Sequence, residues 1–283
     1  MISKILIPTD GSANSLTALE YGIYVARKLE ASLTGLYVID VNLIQGPMVT
    51  DVSGSVGMPP YDGFVEAIET SLHEKADLIL KDFQERCRKS GVSAEVKKTV
   101  GTISAMITEE ARNADLIVMA KKGEHIHLKE GGLLGSVAEA VIRHSGKPVL
   151  VTPEKFLEIE SMGLAFDGSD ASTKALILSM EISRKAVWPI TALIIQSDIE
   201  KAEDLNARID KIHEKYLTAS AIDCETIIMS GKEKDEIIKF IKEGAVELMV
   251  MGAFGHNRLR ELFLGSTTSQ VIHKSSIPVL LTH

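Results

Sequence analysis

Residues 251–270 read MGAFGHNRLRELFLGSTTSQ. They begin at the end of an apolar segment, residues 248–251, whose length and composition predict a buried strand. From Ser266 onward the pattern is helical, so the glycines lie on a strand-to-helix loop: Gly252, Gly255 and Gly265. Glycine lets the backbone approach a bulky anion, and a helix N-terminus supplies unpaired N–H groups and the positive end of a dipole. The stretch therefore predicts a phosphate-binding loop, and the alternative is a tight connection into a capped helix.

The same pattern occurs twice in the chain. Residues 134–152 align without gaps with residues 264–282 at a constant offset of 130, and 10 of the 19 positions are identical. Near the start of each half, Asp10-Gly11-Ser12 corresponds to Asp167-Gly168-Ser169. A two-copy repeat of this length indicates two domains, which we place at residues 1–153 and 159–283.

Each half alternates predicted strands with predicted helices and ends in a short apolar strand. This alternation predicts an α/β protein with two tandem open parallel five-stranded sheets and helices on both faces. The first half also contains residues 42–63, which are rich in Gly, Pro and Ser and predict a long loop. A loop of this length is either a lid over a site or an insertion without a binding role.

The spacing Gly252-x2-Gly255-x9-Gly265-Ser266, with an Asp that closes the first strand of its domain, resembles the nucleotide-binding signature of the universal stress protein family. The resemblance covers nearly the whole chain and implies a Rossmann-like fold of the adenine-nucleotide-hydrolase type. It also implies a bound adenine nucleotide (ATP, AMP or a related molecule), with Mg²⁺ as an optional companion of the phosphates.

The resemblance also assigns roles to residues of the second half. Asp167 would lie against the adenosine portion, and the backbone of Ile195 would meet the adenine edge. The residues that would hold ribose and phosphates are Gly252, Gly255, Gly265, Ser266 and Thr267. Because Asp-Gly-Ser before a helix is also ordinary turn and capping chemistry, a purely structural role for Asp167 is the alternative.

The first half departs from this pattern. Ala120 stands where the first glycine would be, and 11 residues instead of nine separate Gly123 from Gly135. The longer loop adds Glu124 and Glu130, whose charge disfavours a phosphate. Three lysines could offset that charge: Lys121, Lys122 and Lys129. The candidate residues that remain are Asp10, Val38, Gly123, Gly135 and Ser136, and we expect the nucleotide chiefly in the second half.

No catalytic residue is predicted. The chain lacks a G-x4-G-K-[ST] loop, and no Ser-His-Asp order, carboxylate pair or metal cluster stands out. His125 and His127 are interpreted as exposed loop side chains, with a metal site as the alternative. A site without an evident base favours a regulatory or stress-response protein over a fast enzyme. Two alternatives stay open: a slow ATPase or nucleotidyl-transfer enzyme, and a scaffold that binds a protein partner instead of a nucleotide.

Composition bears on partners and location. The 283 residues carry a net charge of −8 and no basic stripe, which disfavours nucleic acid and anionic membranes as partners. The two cysteines form no disulfide framework, and Asp10 interrupts the N-terminal apolar run, so we expect a cytoplasmic protein.

The closing strand of each half is apolar, at residues 148–151 and 278–281. In the universal stress protein family such strands pair two domains. The resemblance therefore implies that they pair within this chain as a pseudo-dimer, and a further homodimer is an additional expectation.

Overall fold

The computed structural model describes residues 1–45, 62–123, 134–196, 202–217, 224–254 and 264–283. Most of the predicted loop 42–63, the inserted loop with His125 and His127, and Gly255 lie outside these ranges. Within the described ranges, no helix combines the length and the apolar character needed to cross a bilayer.

Strands and helices alternate through both halves. The strands are β1 (Lys4–Pro8), β2 (Ser32–Asp40), β3 (Ala94–Gly101), β4 (Leu116–Ala120), β5 (Val149–Thr152), β6 (Met162–Ala165), β7 (Ile190–Gln196), β8 (Cys224–Ser230), β9 (Leu248–Gly252) and β10 (Val279–Thr282). The helices are α1 (Ala13–Leu29), α2 (Val41–Gln45), α3 (Asp62–Lys89), α4 (Ile103–Glu110), α5 (Ser136–His144), α6 (Asp170–Ala186), α7 (Ala202–Leu217), α8 (Glu233–Lys242) and α9 (Ser266–Lys274). The predicted elements agree to within a few residues, except that the segment predicted as a loop from residue 42 begins as helix α2.

All strands join in one ten-stranded sheet of order β3-β2-β1-β4-β5-β10-β9-β6-β7-β8. Within each half the paired strands are parallel, and this confirms the predicted α/β class. The two halves meet where β5 and β10 pair antiparallel, so the two predicted five-stranded sheets are continuous. The expected pairing of the closing strands within the chain is therefore present.

We call the antiparallel contact between β5 and β10 the seam, and its strand register is that of two copies related by a two-fold axis. Leu150 pairs with Leu280, its own counterpart in the repeat, while Val151 pairs with Val279 and Val149 with Leu281. All of these side chains are at most 2% exposed. Because the same apolar surface is used by both halves, the contact is self-complementary, as in a two-fold homodimer.

The core runs across the seam on both faces of the sheet. One buried cluster contains side chains of α1, α3, α6 and α7, and the other contains side chains of α4, α5, α8 and α9. Each cluster combines residues of both halves, so burial of apolar surface holds the halves together in addition to the strand hydrogen bonds.

The connection between the halves is tied to α1. The Tyr21 hydroxyl donates to the Lys155 carbonyl (3.3 Å) and accepts from the Leu157 N–H (3.0 Å), while the Tyr24 hydroxyl donates to the Ile159 carbonyl (2.7 Å). Phe156 packs against both tyrosine rings at centroid distances of 4.8 and 5.6 Å. Burial raises the pKa of both phenols, so the two hydroxyls stay protonated donors at neutral pH.

Candidate functional site

The strand order reverses between β1 and β4 in the first half and between β6 and β9 in the second. Ligands of open parallel sheets bind beyond the carboxyl ends of the strands at such reversals. Asp10 and Gly123 follow β1 and β4, and Asp167 and Gly252 lie at the ends of β6 and β9. The parallel register therefore brings together, in each half, candidates that are far apart in the sequence.

A cleft of about 1090 Å³, including its open mouth, occupies this position in the first half. All five first-half candidates line it: Asp10, Val38, Gly123, Gly135 and Ser136. Its walls are largely apolar, with Leu36, Ile107 and Met119 among them. An apolar cleft with a few polar groups at one end suits a ligand that has a flat ring and a charged tail.

The Asp10 carboxylate is held by its own turn. Its Oδ1 accepts from the Ser12 N–H at 3.0 Å, and Ser12 Oγ in turn accepts from the Ser15 N–H and caps α1. A Cβ placed on Gly123 would lie 2.8 Å from Asp10 Oδ2, so a side chain at this position would displace the carboxylate. The capping interpretation of the Asp-Gly-Ser sequence is thus seen directly, and the other carboxylate oxygen faces Gly123.

The glycine before α5 positions the helix start beside β4. The Gly135 N–H donates to the Lys121 carbonyl at 3.1 Å, and the Glu139 N–H donates to the Gly135 carbonyl as the first helical bond. Within the described part of the chain, the first-turn N–H groups of Ser136, Val137 and Ala138 have no acceptor. These N–H groups, and not that of Gly135, are the donors open to an anion.

The second half repeats this geometry. The Gly265 N–H donates to the Ala253 carbonyl (3.4 Å), and the Ser269 N–H donates to the Gly265 carbonyl (2.8 Å). Asp167 Oδ1 accepts from the Ser169 N–H (2.9 Å), as Asp10 does from Ser12. Ile195 lies near the end of β7, and Ser266 and Thr267 form the first turn of α9. The described second-half candidates therefore share one edge, while Gly255 lies outside the described residues.

Gly252 has a packing role that the sequence did not reveal. A Cβ on Gly252 would lie 2.8 Å from the Cβ of Ala171 in the first turn of α6. The missing side chain thus lets α6 approach β9. The Gly252 carbonyl accepts from the Thr268 hydroxyl at 3.2 Å, which ties β9 to α9. Thr268 was not among the predicted residues, although its hydroxyl in a helical first turn could have suggested it.

Lys121 reaches across the seam. Its Nζ donates to the Ser275 carbonyl at 2.6 Å, at the C-terminal end of α9, where the helix dipole favours a cation. Burial lowers the pKa of this ammonium, the charge of Lys122 lowers it further, and Glu154 opposes the shift. The sequence suggested Lys121 only as a counter-charge to the inserted glutamates, because its contact depends on how the two halves meet.

A different side chain contacts the end of a helix on the other side of the seam. His283 Nε2–H donates to the Ile142 carbonyl in the last turn of α5, and the His283 ring lies 5.6 Å from that of Phe254. Burial lowers the pKa of His283. The described ranges contain no group of three or more His, Cys, Asp or Glu side chains placed to hold an ion.

A model of the Universal stress protein family matches residues 1–153 and 159–283. The chain belongs to the universal stress protein family. The universal stress protein Slr1230 of Synechocystis is 30% identical over 290 residues, and the match covers 99% of both chains. The universal stress protein MJ0531 of Methanocaldococcus jannaschii is 37% identical over 153 residues, or 53% of this chain and 82% of that protein.

Solved structures of the family have the same architecture. A universal stress protein from Archaeoglobus fulgidus superposes with a TM-score of 0.75 at 25% identity, and the match covers 99% of this chain and 95% of that one. The predicted family and the Rossmann-like fold class are therefore confirmed. The two-half arrangement extends over the full length of the Synechocystis relative as well.

Proposed function

We propose that this universal stress protein binds ATP or a related adenine nucleotide, chiefly in its second half, and acts as a regulatory stress-response protein in the cytoplasm. The observation that carries the proposal is the edge formed by β6, β7, β9 and the start of α9. There Gly252 and Gly265 of the glycine pattern lie beside a helix N-terminus that the Gly265 N–H docks on the Ala253 carbonyl.

The proposed roles of the residues are those that the family resemblance implies. Asp167 contacts the adenosine portion with its carboxylate, and the Ile195 backbone meets the adenine edge. Ser266 and Thr267 offer first-turn N–H groups and hydroxyls to the phosphates. Gly252, Gly255 and Gly265 would let the backbone approach the phosphates, and Gly252 also makes room for Ala171.

The first-half cleft is the weaker site in this proposal. It has an apolar wall and the Asp10 carboxylate, but Val137 stands where the second half has Thr267. One hydroxyl donor is thereby missing from the phosphate end, because the Thr268 hydroxyl already donates to the Gly252 carbonyl. Each hydrogen bond to a charged phosphate oxygen contributes about 1.5–3 kcal/mol, which suffices to favour the second half.

Mg²⁺ would reach the site with the phosphates. The described residues provide no ready-made set of three or more ligands, and Mg²⁺ usually keeps several waters and binds through one or two carboxylates together with substrate phosphates. In the second half, Asp167 is the carboxylate that could take part.

A homodimer is a further part of the proposal, and it would need a surface other than the seam. Strands β5 and β10 are already paired with each other within the chain. Light scattering on the purified chain measures the oligomeric state, and a mass of one chain would refute the dimer.

The nucleotide released on heating tests the main proposal. Freshly purified protein is denatured, and the released small molecules are quantified by anion exchange. We expect about one adenine nucleotide per chain, retained in Gly135→Val and lost in the matched Gly265→Val, which blocks the equivalent position of the second half. Circular dichroism checks that both variants are folded. Loss in Gly135→Val alone would place the site in the first half, and absence of nucleotide without stabilisation by added ATP would refute binding.

A further inference from the structure

A second pocket lies between the two halves and is separate from the second-half edge. We call it the junction pocket, and with its open mouth it measures about 910 Å³. Its walls come from both halves and from the connection between them, and they include Asn14, Lys121, Lys122, Lys155, His273 and Ser275. A ligand here would therefore contact both halves at once.

The junction pocket is positively charged in an acidic protein. Three lysines line it, and Glu154 is the single carboxylate among its described lining residues, whereas the whole chain has a net charge of −8. Burial disfavours the charged form of Lys121 and lowers its pKa, Glu154 opposes this shift, and the neighbouring Lys122 adds to it. An anion between these ammonium groups would favour their protonated forms, because it carries the opposite charge.

Donors remain available in the junction pocket. The Lys121 ammonium has three protons and uses one of them on the Ser275 carbonyl, which leaves two. Lys122 engages Asn14 through its carbonyl oxygen, and Lys155 engages Tyr21 in the same way, so neither contact involves an ammonium group. Lysine ammonium groups bind phosphates as point charges.

The other side of the seam lacks this arrangement. Lys121 and Ala253 are structural counterparts, since their carbonyls accept from Gly135 and Gly265 respectively. The next residues are Lys122 and Phe254, and the Phe254 ring packs against His283. Two lysines thus stand on one side of the seam where alanine and phenylalanine stand on the other. The lysine pair is therefore specific to one side of the seam and is not part of the framework that the two halves share.

We propose that the junction pocket binds a small phosphate-bearing anion that bridges the two halves through Lys121, Lys122 and Lys155. The phosphate has two sources, a free anion or the tail of a nucleotide in the first-half cleft, because Lys121 and Lys122 line both cavities. Lys155 lines only the junction pocket of the two, and its side chain is exposed, so it can be changed with little risk to the fold.

Calorimetric titration of the full chain with inorganic pyrophosphate tests the proposal. Lys155→Glu is compared with Lys242→Glu, which changes an exposed lysine at the end of α8. We expect Lys155→Glu to weaken pyrophosphate binding by roughly tenfold or more, from one lost charge-assisted bond, and Lys242→Glu to leave it unchanged. Lys122→Gln should weaken binding in the same direction.

Two further arms separate the phosphate source and the proposed nucleotide site. If pyrophosphate does not bind, but Lys155→Glu weakens ATP binding and leaves AMP binding intact, the phosphate belongs to a nucleotide tail. Equal affinities in the Lys155→Glu and Lys242→Glu chains for pyrophosphate, ATP and AMP would overturn the proposal. Gly265→Val is expected to abolish nucleotide binding at the proposed second-half site, and Gly265 does not line the junction pocket, so failure of one proposal is distinguishable from failure of the other.

Discussion

The two halves share a framework but differ at the helix start that faces the cleft. In the first half, the first turn of α5 reads Ser136-Val137-Ala138, and in the second half, that of α9 reads Ser266-Thr267-Thr268. Both turns are preceded by a glycine that hydrogen-bonds the strand-end loop in the same way. The duplication has therefore preserved the parts that place the helix N-terminus and changed the side chains that a ligand would meet.

The preserved framework extends to the start of each half. Asp115 accepts from the N–H and hydroxyl groups of Ser3, and Glu247 accepts from the same groups of Ser161, with all four distances at 2.9 Å. Helices α1 and α6 begin with the same serine cap at Ser12 and Ser169. These contacts form within each half. Both halves can therefore retain them whether or not their clefts bind the same ligand.

The seam should respond identically from either side. Leu150→Asp and Leu280→Asp each bury a carboxylate in the self-paired position of the β5–β10 contact, where no partner can satisfy it. We expect each to lower the free energy of unfolding by about 4 kcal/mol or more. Urea unfolding measures both variants, with the exposed Leu157→Asp as the control. A loss of stability in only one of the two variants would refute the two-fold equivalence of the β5 and β10 sides.

The sequence predicted the framework well because the framework is local or repeated. The repeat located the equivalent glycines, and the Asp-Gly-Ser turns predicted the starts of α1 and α6. The contact of Gly252 with Ala171 depends on where α6 crosses the sheet, and the bond from Lys121 to the Ser275 carbonyl depends on the angle between the halves. A local sequence pattern contains neither the helix crossing nor the angle between the halves. The family signature predicted Gly252 as a ligand-binding residue and not as a packing residue.

Alanine at two motif glycines should separate packing from ligand contact. In Gly252→Ala the new Cβ would meet the Ala171 Cβ at 2.8 Å, so α6 must shift, and we expect a loss of about 1–3 kcal/mol in unfolding free energy. In Gly123→Ala the obstacle is the Asp10 carboxylate, which can rotate, and we expect a loss of about 0.5 kcal/mol or less. Chemical denaturation compares the two, and equal losses would refute the packing role of Gly252.

The Thr268 hydroxyl should contribute stability that the first half lacks at Ala138. Thr268→Val keeps the shape of the side chain but leaves the Gly252 carbonyl without this donor, at a cost of about 1 kcal/mol. Thr268→Ser retains the hydroxyl and serves as the control. Urea midpoints at unchanged slope measure the difference. If the valine variant were as stable as the serine variant, the Thr268 hydroxyl would make no measurable contribution to stability.

The smallest effect should come from the pH dependence that His283 gives to its side of the seam. Its pKa in the folded chain lies below the ordinary value of 6.5, because burial disfavours the charged ring; the hydrogen bond to the Ile142 carbonyl opposes this effect, and Lys174 adds to it. The unfolded chain therefore binds a proton first as the pH falls through 6.5, and the folded state loses stability below that pH. His283→Gln should flatten the stability profile between pH 7.5 and 5.5, as measured by urea unfolding at a series of pH values. A profile in His283→Gln that matches the wild-type profile would show that His283 gives its side of the seam no pH dependence.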